Sequence, residues 1–206
     1  MVKQTVADRL RQYGEQARAR WKPSFAAKGV EYPPARVALA GLKQEKQLQV
    51  YAAGVGQAWR MVGAFPILAA SGAQGPKLRE GDRQVPEGIY PVESLNPNSR
   101  FHLALRIGYP NEFDREQAKR DGRTNLGGDI MIHGSDVSVG CLAVGDQVAE
   151  DLFVLAADTG IANVTIILSP VDFRKQEMPR ELASLPPWTR ELYGAIVARL
   201  RELPLE

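Results

Sequence analysis

The stretch IMIHGSDVSVGC, residues 130–141, holds one of the chain's two histidines and its sole cysteine, eight positions apart. A free thiol ionises near pH 8.5, so only about 3% is thiolate at pH 7. A neighbouring imidazole that accepts the proton raises that population by more than an order of magnitude. His133 ends an apolar run, and Cys141 follows a turn with Gly134 and Gly140, so the chain can fold back and bring ring and sulfur together. Gly140 leaves the backbone amides around Cys141 uncovered, where they can bind the oxyanion of a tetrahedral intermediate. Two other readings fit the same residues. One is a structural thiol buried beside a hydrogen-bonded ring. The other is a zinc site, in which His102, His133 and Cys141 would be completed by Asp129 or Asp136, although no paired-ligand spacing is present.

A strand, a loop and a helix must hold these residues. DIMIH reads as a strand, and GDQVAEDLFVLAADTG as a helix with Asp146 placed to cap its start and Gly160 its end. FHLALRIGY alternates, with Phe101, Leu103, Leu105, Ile107 and Tyr109 on a core face and His102, Ala104 and Arg106 on an open one. Residues 72–88 carry too many glycines, prolines and charges for regular structure and predict a functional loop, ending where IYPV resumes a strand. Upstream, RVALAGLK, LQVYA and WRMVGAFPILA predict short strands, and NVTIIL adds one downstream. Val6, Leu10, Tyr13, Ala17 and Trp21 recur at the helical period and predict an amphipathic helix over 5–21. Pro187, Trp188, Leu192, Ile196 and Leu200 mark a C-terminal helix that starts after a proline pair. Helices placed mainly at the two ends do not alternate with strands, which disfavours a doubly wound parallel sheet. The pattern predicts a mainly β core with added helices, an α+β chain.

Composition narrows the function. At 206 residues, with 44% hydrophobic and 24% charged, the chain can bury one sizeable core. It has no apolar run of membrane-spanning length, and its first residues lack the apolar segment of a secretory signal. One cysteine cannot form an internal disulfide, so the thiol stays available. A net charge of +2 argues against a dedicated nucleic-acid binder. Residues 1–28 nevertheless hold seven Lys and Arg against Asp8 and Glu15, which predicts a solvated helix face or contact with an anionic surface.

IMIHGSDVSVGCLA resembles the signature of the L,D-transpeptidase catalytic domain family, the YkuD type, in which a strand ending in His-Gly is followed by a Ser-x-Gly-Cys turn. FPILAASG, GPKLREGDRQVPEGIYPV and NPNSRFHLALRIGYPNEFD resemble its Gram-negative envelope branch with a short His-to-Cys loop, and the likeness runs from about Val37 to Leu168. The resemblance implies a β-sandwich core over 36–172, flanked by a basic helical extension at 1–35 and a C-terminal helical extension at 173–206 packed on the same domain. It implies that Cys141 attacks a peptidoglycan stem peptide at the carbonyl of the position-three diamino acid. His133 would be the base, oriented by a backbone carbonyl, so that neither Asp129 nor Asp136 is needed for a triad. Ser138 matches the serine of the turn and would shape the loop. No cofactor or metal is implied. Stem peptides or muropeptides, and a wall-linked lipoprotein, are the implied partners, with no nucleic acid, and the implied location is the periplasm or cell envelope. Many members carry an arginine just after the cysteine, whereas Leu142 and Ala143 stand here. That departure favours hydrolysis of the stem-peptide amide over transpeptidation, with a non-catalytic wall-binding protein as a further alternative. Arg106 and His102, on the open face of their strand, could replace the missing clamp, and Tyr109 could line the cleft rim.

Overall fold

The predicted strands assemble into one sheet. A computed structural model describes residues 3–179, 182 and 184–205; the outermost residues of the two expected extensions, 1–2 and 206, and positions 180, 181 and 183 lie outside the described residues. In chain order the elements are α1 (Val6–Ala27), β1 (Arg36–Leu42), β2 (Gln47–Ala53), β3 (Arg60–Pro66), β4 (Ala69–Ala70), β5 (Gly88–Ser99), β6 (His102–Ile107), α2 (Glu112–Arg120), β7 (Met131–His133), β8 (Leu142–Ala143), α3 (Asp146–Thr159), β9 (Val164–Ser169) and α4 (Thr189–Arg201). The sheet runs in the order β3-β2-β1-β9-β5-β6-β7-β8-β4.

Strand β5 is the seam. Its first residues pair with β9 and its later ones, from Val92 onward, with β6. At the far ends of the sheet the chain passes from edge strand β3 to edge strand β4 through Ile67 and Leu68 alone. Their amides donate to Lys46 O and Ala143 O, each at 2.8 Å. The sheet therefore curls back on itself. A Cβ on Gly41 of β1 would lie 3.2 Å from a Leu142 methyl on β8, so the two halves face one another across the core. The expected sandwich is thus one continuous sheet whose halves pack together.

The terminal helices share this core. Trp21 and Phe25 of α1, with Leu152 and Phe153 of α3, join Leu105 and Ile132 in the main apolar cluster. Leu192, Ile196 and Leu200 of α4 cover the opposite face of β1 and β9, against Ala38, Ala40 and Ile167. Each such side chain, fully buried, contributes roughly 1.5–3 kcal/mol. Helix α1 starts in a capping box between Thr5 and Asp8 and runs beyond the expected end at residue 21, straight through Pro23. Pro23 and Ala19, whose carbonyl loses its helical donor, are both exposed, so water can serve that carbonyl while Phe25 gains burial. Two of the basic residues of α1 meet acids of α3. Arg18 grips Asp158 through two 2.7 Å bonds, and Arg20 donates to Asp151 at 2.8 Å.

Helix α2 is an element the sequence reading missed. Its signal was present, because Asn111 and Asp114 form a capping box. Burial raises the Asp114 carboxyl from 3.8 to about 6, against the opposing hydrogen bond from the Asn111 amide. A carboxyl whose folded-state pKa is raised binds its proton more tightly when folded, so its contribution is present at acid pH and lost as pH climbs through 6. The urea midpoint of the wild type should therefore fall between pH 4 and 6.5, and that fall should vanish in Asp114→Asn. The variant should be the more stable of the two at pH 7 by on the order of 2–3 kcal/mol. Parallel curves for the two proteins would assign the pH dependence elsewhere.

Candidate active site

The loop between β7 and β8 joins the candidate residues His133 and Cys141, and its tight course selects its residues. At Gly134 a Cβ would collide with the Asp146 carboxylate and would lie 2.9 Å from Phe101 O, so only glycine fits. Ser135 takes a left-handed conformation, φ +64, and its amide donates to Asp146 Oδ1 at 2.7 Å. Asp146 is therefore not the expected cap of α3. Gly145 occupies the cap position without a side-chain bond, and Asp146, first in the helix, ties down the loop instead. Gly140 is left-handed at φ +84. Strands β7 and β8 pair in parallel, Ile132 with Leu142 and His133 with Ala143. Continued back along both strands, that register sets Cys141 beside Met131, on the same face as His133.

His133 is buried, and its Nδ1 lies 2.6 Å from Gly134 O. A carbonyl only accepts, so Nδ1 carries the proton and the neutral ring leaves Nε2 bare. Nε2 is buried with no hydrogen-bond partner. Phe101 stacks on the ring at 4.7 Å and 23°. Phe101 is thus not the core residue its alternation suggested, since it is 38% exposed and roofs the imidazole. Burial pulls the His133 pKa below 6.5, and the Gly134 carbonyl only partly offsets this.

Cys141 donates its S–H to Asp129 O at 3.7 Å. Burial pushes the thiol above its ordinary value, and the Asp129 carboxylate adds to this, while the Met131 amide and Lys77 work against it. Both shifts favour a neutral thiol and a neutral imidazole over a thiolate and an imidazolium. The amides expected to be free are engaged. Gly140 N donates to Ser71 Oγ at 2.6 Å and Cys141 N to Ser138 Oγ at 3.0 Å, while Ser138 Oγ donates to Cys141 O at 2.5 Å. Ser138 thereby closes the turn on itself.

Ser71, which the sequence reading passed over, joins this turn to the 72–88 loop, because its hydroxyl also donates to Arg83 O at 2.7 Å. Buried Glu87 anchors that loop. It accepts from Lys43 Nζ and Gly75 N, both at 2.9 Å, and from Tyr193 Oη of α4 at 2.8 Å. Asp82 accepts from the amides of Leu78, Arg79 and Gln84. A groove of about 590 Å³ opens between this loop and residues 184–186. It reaches the Cys141 turn through Gln84, whose carbonyl is 4.0 Å from where a Gly140 Cβ would stand.

The remaining candidates separate. His102 turns away to α3, with Nε2 2.9 Å from Glu150 Oε1 and its ring edge-on to Tyr13. Tyr109 is buried, its hydroxyl shared between Lys77 O and Leu126 O, and burial raises its pKa. Arg106 turns to Asp129, whose carbonyl accepts from Cys141, with Nη1 2.8 Å from Asp129 Oδ1. Asp136 is exposed on the loop. Among the described residues, no three of His, Cys, Asp or Glu gather as a metal site.

A curled, helix-covered sheet with a Cys-His loop across two parallel strands defines the class of protein. Residues 35–166 match the L,D-transpeptidase catalytic domain, YkuD, and the chain belongs to that family. It is 37% identical over 113 residues to the protein named "Putative L,D-transpeptidase YafK" of Escherichia coli K12, covering 54% of this chain and 43% of that one. The crystal structure of the helical cell shape determining protein Pgp2 from Campylobacter jejuni is similar at TM-score 0.52 and 25% identity, over 66% of this chain and 48% of that one. A variant of Pgp2 gives TM-score 0.53 at 22% identity, over 73% and 53% of the two chains. The chain thus spans about half the length of these relatives.

With only two histidines, the ring resonances can be followed by NMR. His133 should titrate below 6.5, and Phe101→Ala, which opens the ring to water, should move that midpoint upward. An unmoved midpoint would show that the stacked ring does not control the imidazole's hydration.

Proposed function

We propose that the chain is a cysteine hydrolase of peptidoglycan stem peptides, cleaving the amide at the position-three diamino acid through a thioester. The observation that carries this reading is the bare, buried Nε2 of His133 on the face that holds Cys141. Its proton-bearing partner nitrogen is fixed by Gly134 O, so the ring can act only as a base at Nε2.

On this reading Sγ swings from Asp129 O towards Nε2 and gives up its proton as it attacks the substrate carbonyl carbon. The C–S bond forms and the carbonyl electron pair moves onto oxygen. That oxyanion competes with Ser71 and Ser138 for the Gly140 and Cys141 amides. Collapse breaks the C–N bond, and Nε2–H protonates the leaving amine. Water, deprotonated by the same nitrogen, then attacks the thioester and releases the acid and the thiol.

Water is the favoured acceptor because Leu142 and Ala143, which follow the nucleophile, are strand residues buried in the core. Neither presents a group that could hold a second stem peptide against competition from water. Transpeptidation or lipoprotein attachment is the second reading, supported by the name of the Escherichia coli relative. Peptidoglycan as substrate places the protein in the cell envelope, and no helix among the described residues is long and apolar enough to cross a membrane.

Incubation with a muropeptide tetrapeptide should leave an acyl adduct on Cys141 detectable by intact mass, and the product acid should carry one heavy oxygen from labelled water. Cys141→Ala should form no adduct, and His133→Gln should acylate at least roughly a hundredfold more slowly. Cross-linked dimer without label would select the transferase reading. Because the base must be neutral, the acylation rate should rise through an ionisation below pH 6.5 and then level off. A rise centred above pH 8 would instead make prior ionisation of the thiol the controlling step.

A further inference from the structure

Phe101 covers the imidazole of His133, yet it sits on a two-residue turn between β5 and β6 and is part exposed, so its own burial does little to hold it there. The residue after it supplies the anchor. His102 adopts the left-handed region at φ +69, uncommon for a residue with a Cβ, and at that bend the two neighbouring rings part. Phe101 turns onto His133. His102 turns to α3, where its Nε2 donates to Glu150 Oε1 at 2.9 Å, and its ring centre lies 5.2 Å from that of Tyr13 on α1.

The rest of the turn is gripped from α1 and the residues just before it. Arg9 Nε donates to Pro97 O at 2.9 Å, Gln4 N donates to Asn98 Oδ1 at 2.9 Å, and Asn98 Nδ2 donates to Gln4 O at 2.7 Å. Arg20 ties α1 to α3 beside the same anchor, pairing with Asp151 and with the second oxygen of Glu150. On its inner side the turn packs on the peptide that fixes the imidazole, since a Cβ on Gly134 would stand 2.9 Å from both Phe101 O and His102 Cβ. Gly134 O holds only Nδ1, and a ring held at one nitrogen can still rock about that bond. An aromatic face laid against the ring removes that freedom and keeps water from it.

We propose that His102 is a positioning residue for His133: anchored on Glu150 and Tyr13, it keeps Phe101 stacked on the imidazole and so fixes the direction of Nε2. Helix α1 lies outside the matched residues 35–166, and on this account it belongs to the machinery of the site. The proposal rests on the reading of His133 as the base. His102 acts through Phe101 and takes no part in the bond changes.

The test follows His133 by NMR and acylation by intact mass, both in the full chain. His102→Asn keeps a Cβ against Gly134 and accepts a left-handed backbone, but is too short to reach Glu150, and it leaves His133 as the chain's one histidine. Its His133 midpoint should rise, and acylation by the tetrapeptide muropeptide should slow about tenfold through kcat with KM unchanged. Glu150→Ala, which removes the anchor from the α3 side and leaves Arg20 its bond to Asp151, should do the same, and it decides alone if His102→Asn does not fold. In a Phe101→Ala background neither substitution should move the midpoint further, because the route runs through the stacked ring. An unmoved midpoint in either folded variant, even with a lowered thermal midpoint, would leave His102 a merely structural role and overturns the proposal. So does an unchanged acylation rate, or a shift that persists undiminished without Phe101. The reading of the enzyme is scored separately with the wild type. A shifted His133 midpoint in the variants, with no acyl adduct on the wild type, supports the positioning of the imidazole and sinks the hydrolase.

Discussion

The parallel pairing of β7 with β8 is the constraint on which the site depends. Parallel neighbours ordinarily need a crossover of a dozen or more residues, yet here only residues 134–141 join them. So short a return is possible because the two strands are only three and two residues long, and because the loop uses backbone conformations that most residues avoid. Gly134 admits a carboxylate and a carbonyl where a Cβ would stand, while Ser135 and Gly140 reverse the chain in the left-handed region. Asp146, Ser138 and Ser71 then satisfy amides that such a loop would otherwise strand. The same register that makes the loop difficult puts thiol and imidazole on one face.

Burial sets the electrostatics of that face. It lowers the imidazole and raises the thiol, which favours the neutral form of both groups on that face. Phe101, half outside the protein, does part of this work by covering the ring.

Elements far away in sequence keep the site in place. The curl of the sheet brings β4 onto β8, and Leu68 N bonds Ala143 O two residues after Cys141. Glu87 gathers Lys43 from the β1–β2 turn, Gly75 from the long loop and Tyr193 from α4 around one buried carboxylate. The C-terminal helix is therefore linked to the loop that flanks Cys141 and is more than a lid on the far face of the sheet.

Patterns with a short period were legible in the sequence. The core side of the alternation, Leu103, Leu105 and Ile107, and the helical recurrence of Ala17 and Trp21 depend on neighbours in the chain and are buried as the pattern required, whereas Ala104, expected on the open face, is fully buried where β6 lies between β5 and β7 under packed elements. The Asn111 capping box was equally local and was simply overlooked. What escaped reading depends on groups brought together from a distance. Asp146 looks like a cap until the fold sets Ser135 N beside it, Phe101 looks like core until His133 lies under it, and the amides near Cys141 look free until Ser71 arrives from another loop. The sequence by itself determined the residue types able to do the chemistry and the strands that carry them, because propensity and periodicity act over a few residues. Only the tertiary structure decided which nitrogen of His133 is bare and which way Arg106 and His102 turn, because those follow from desolvation and from hydrogen-bond partners that meet when the sheet closes.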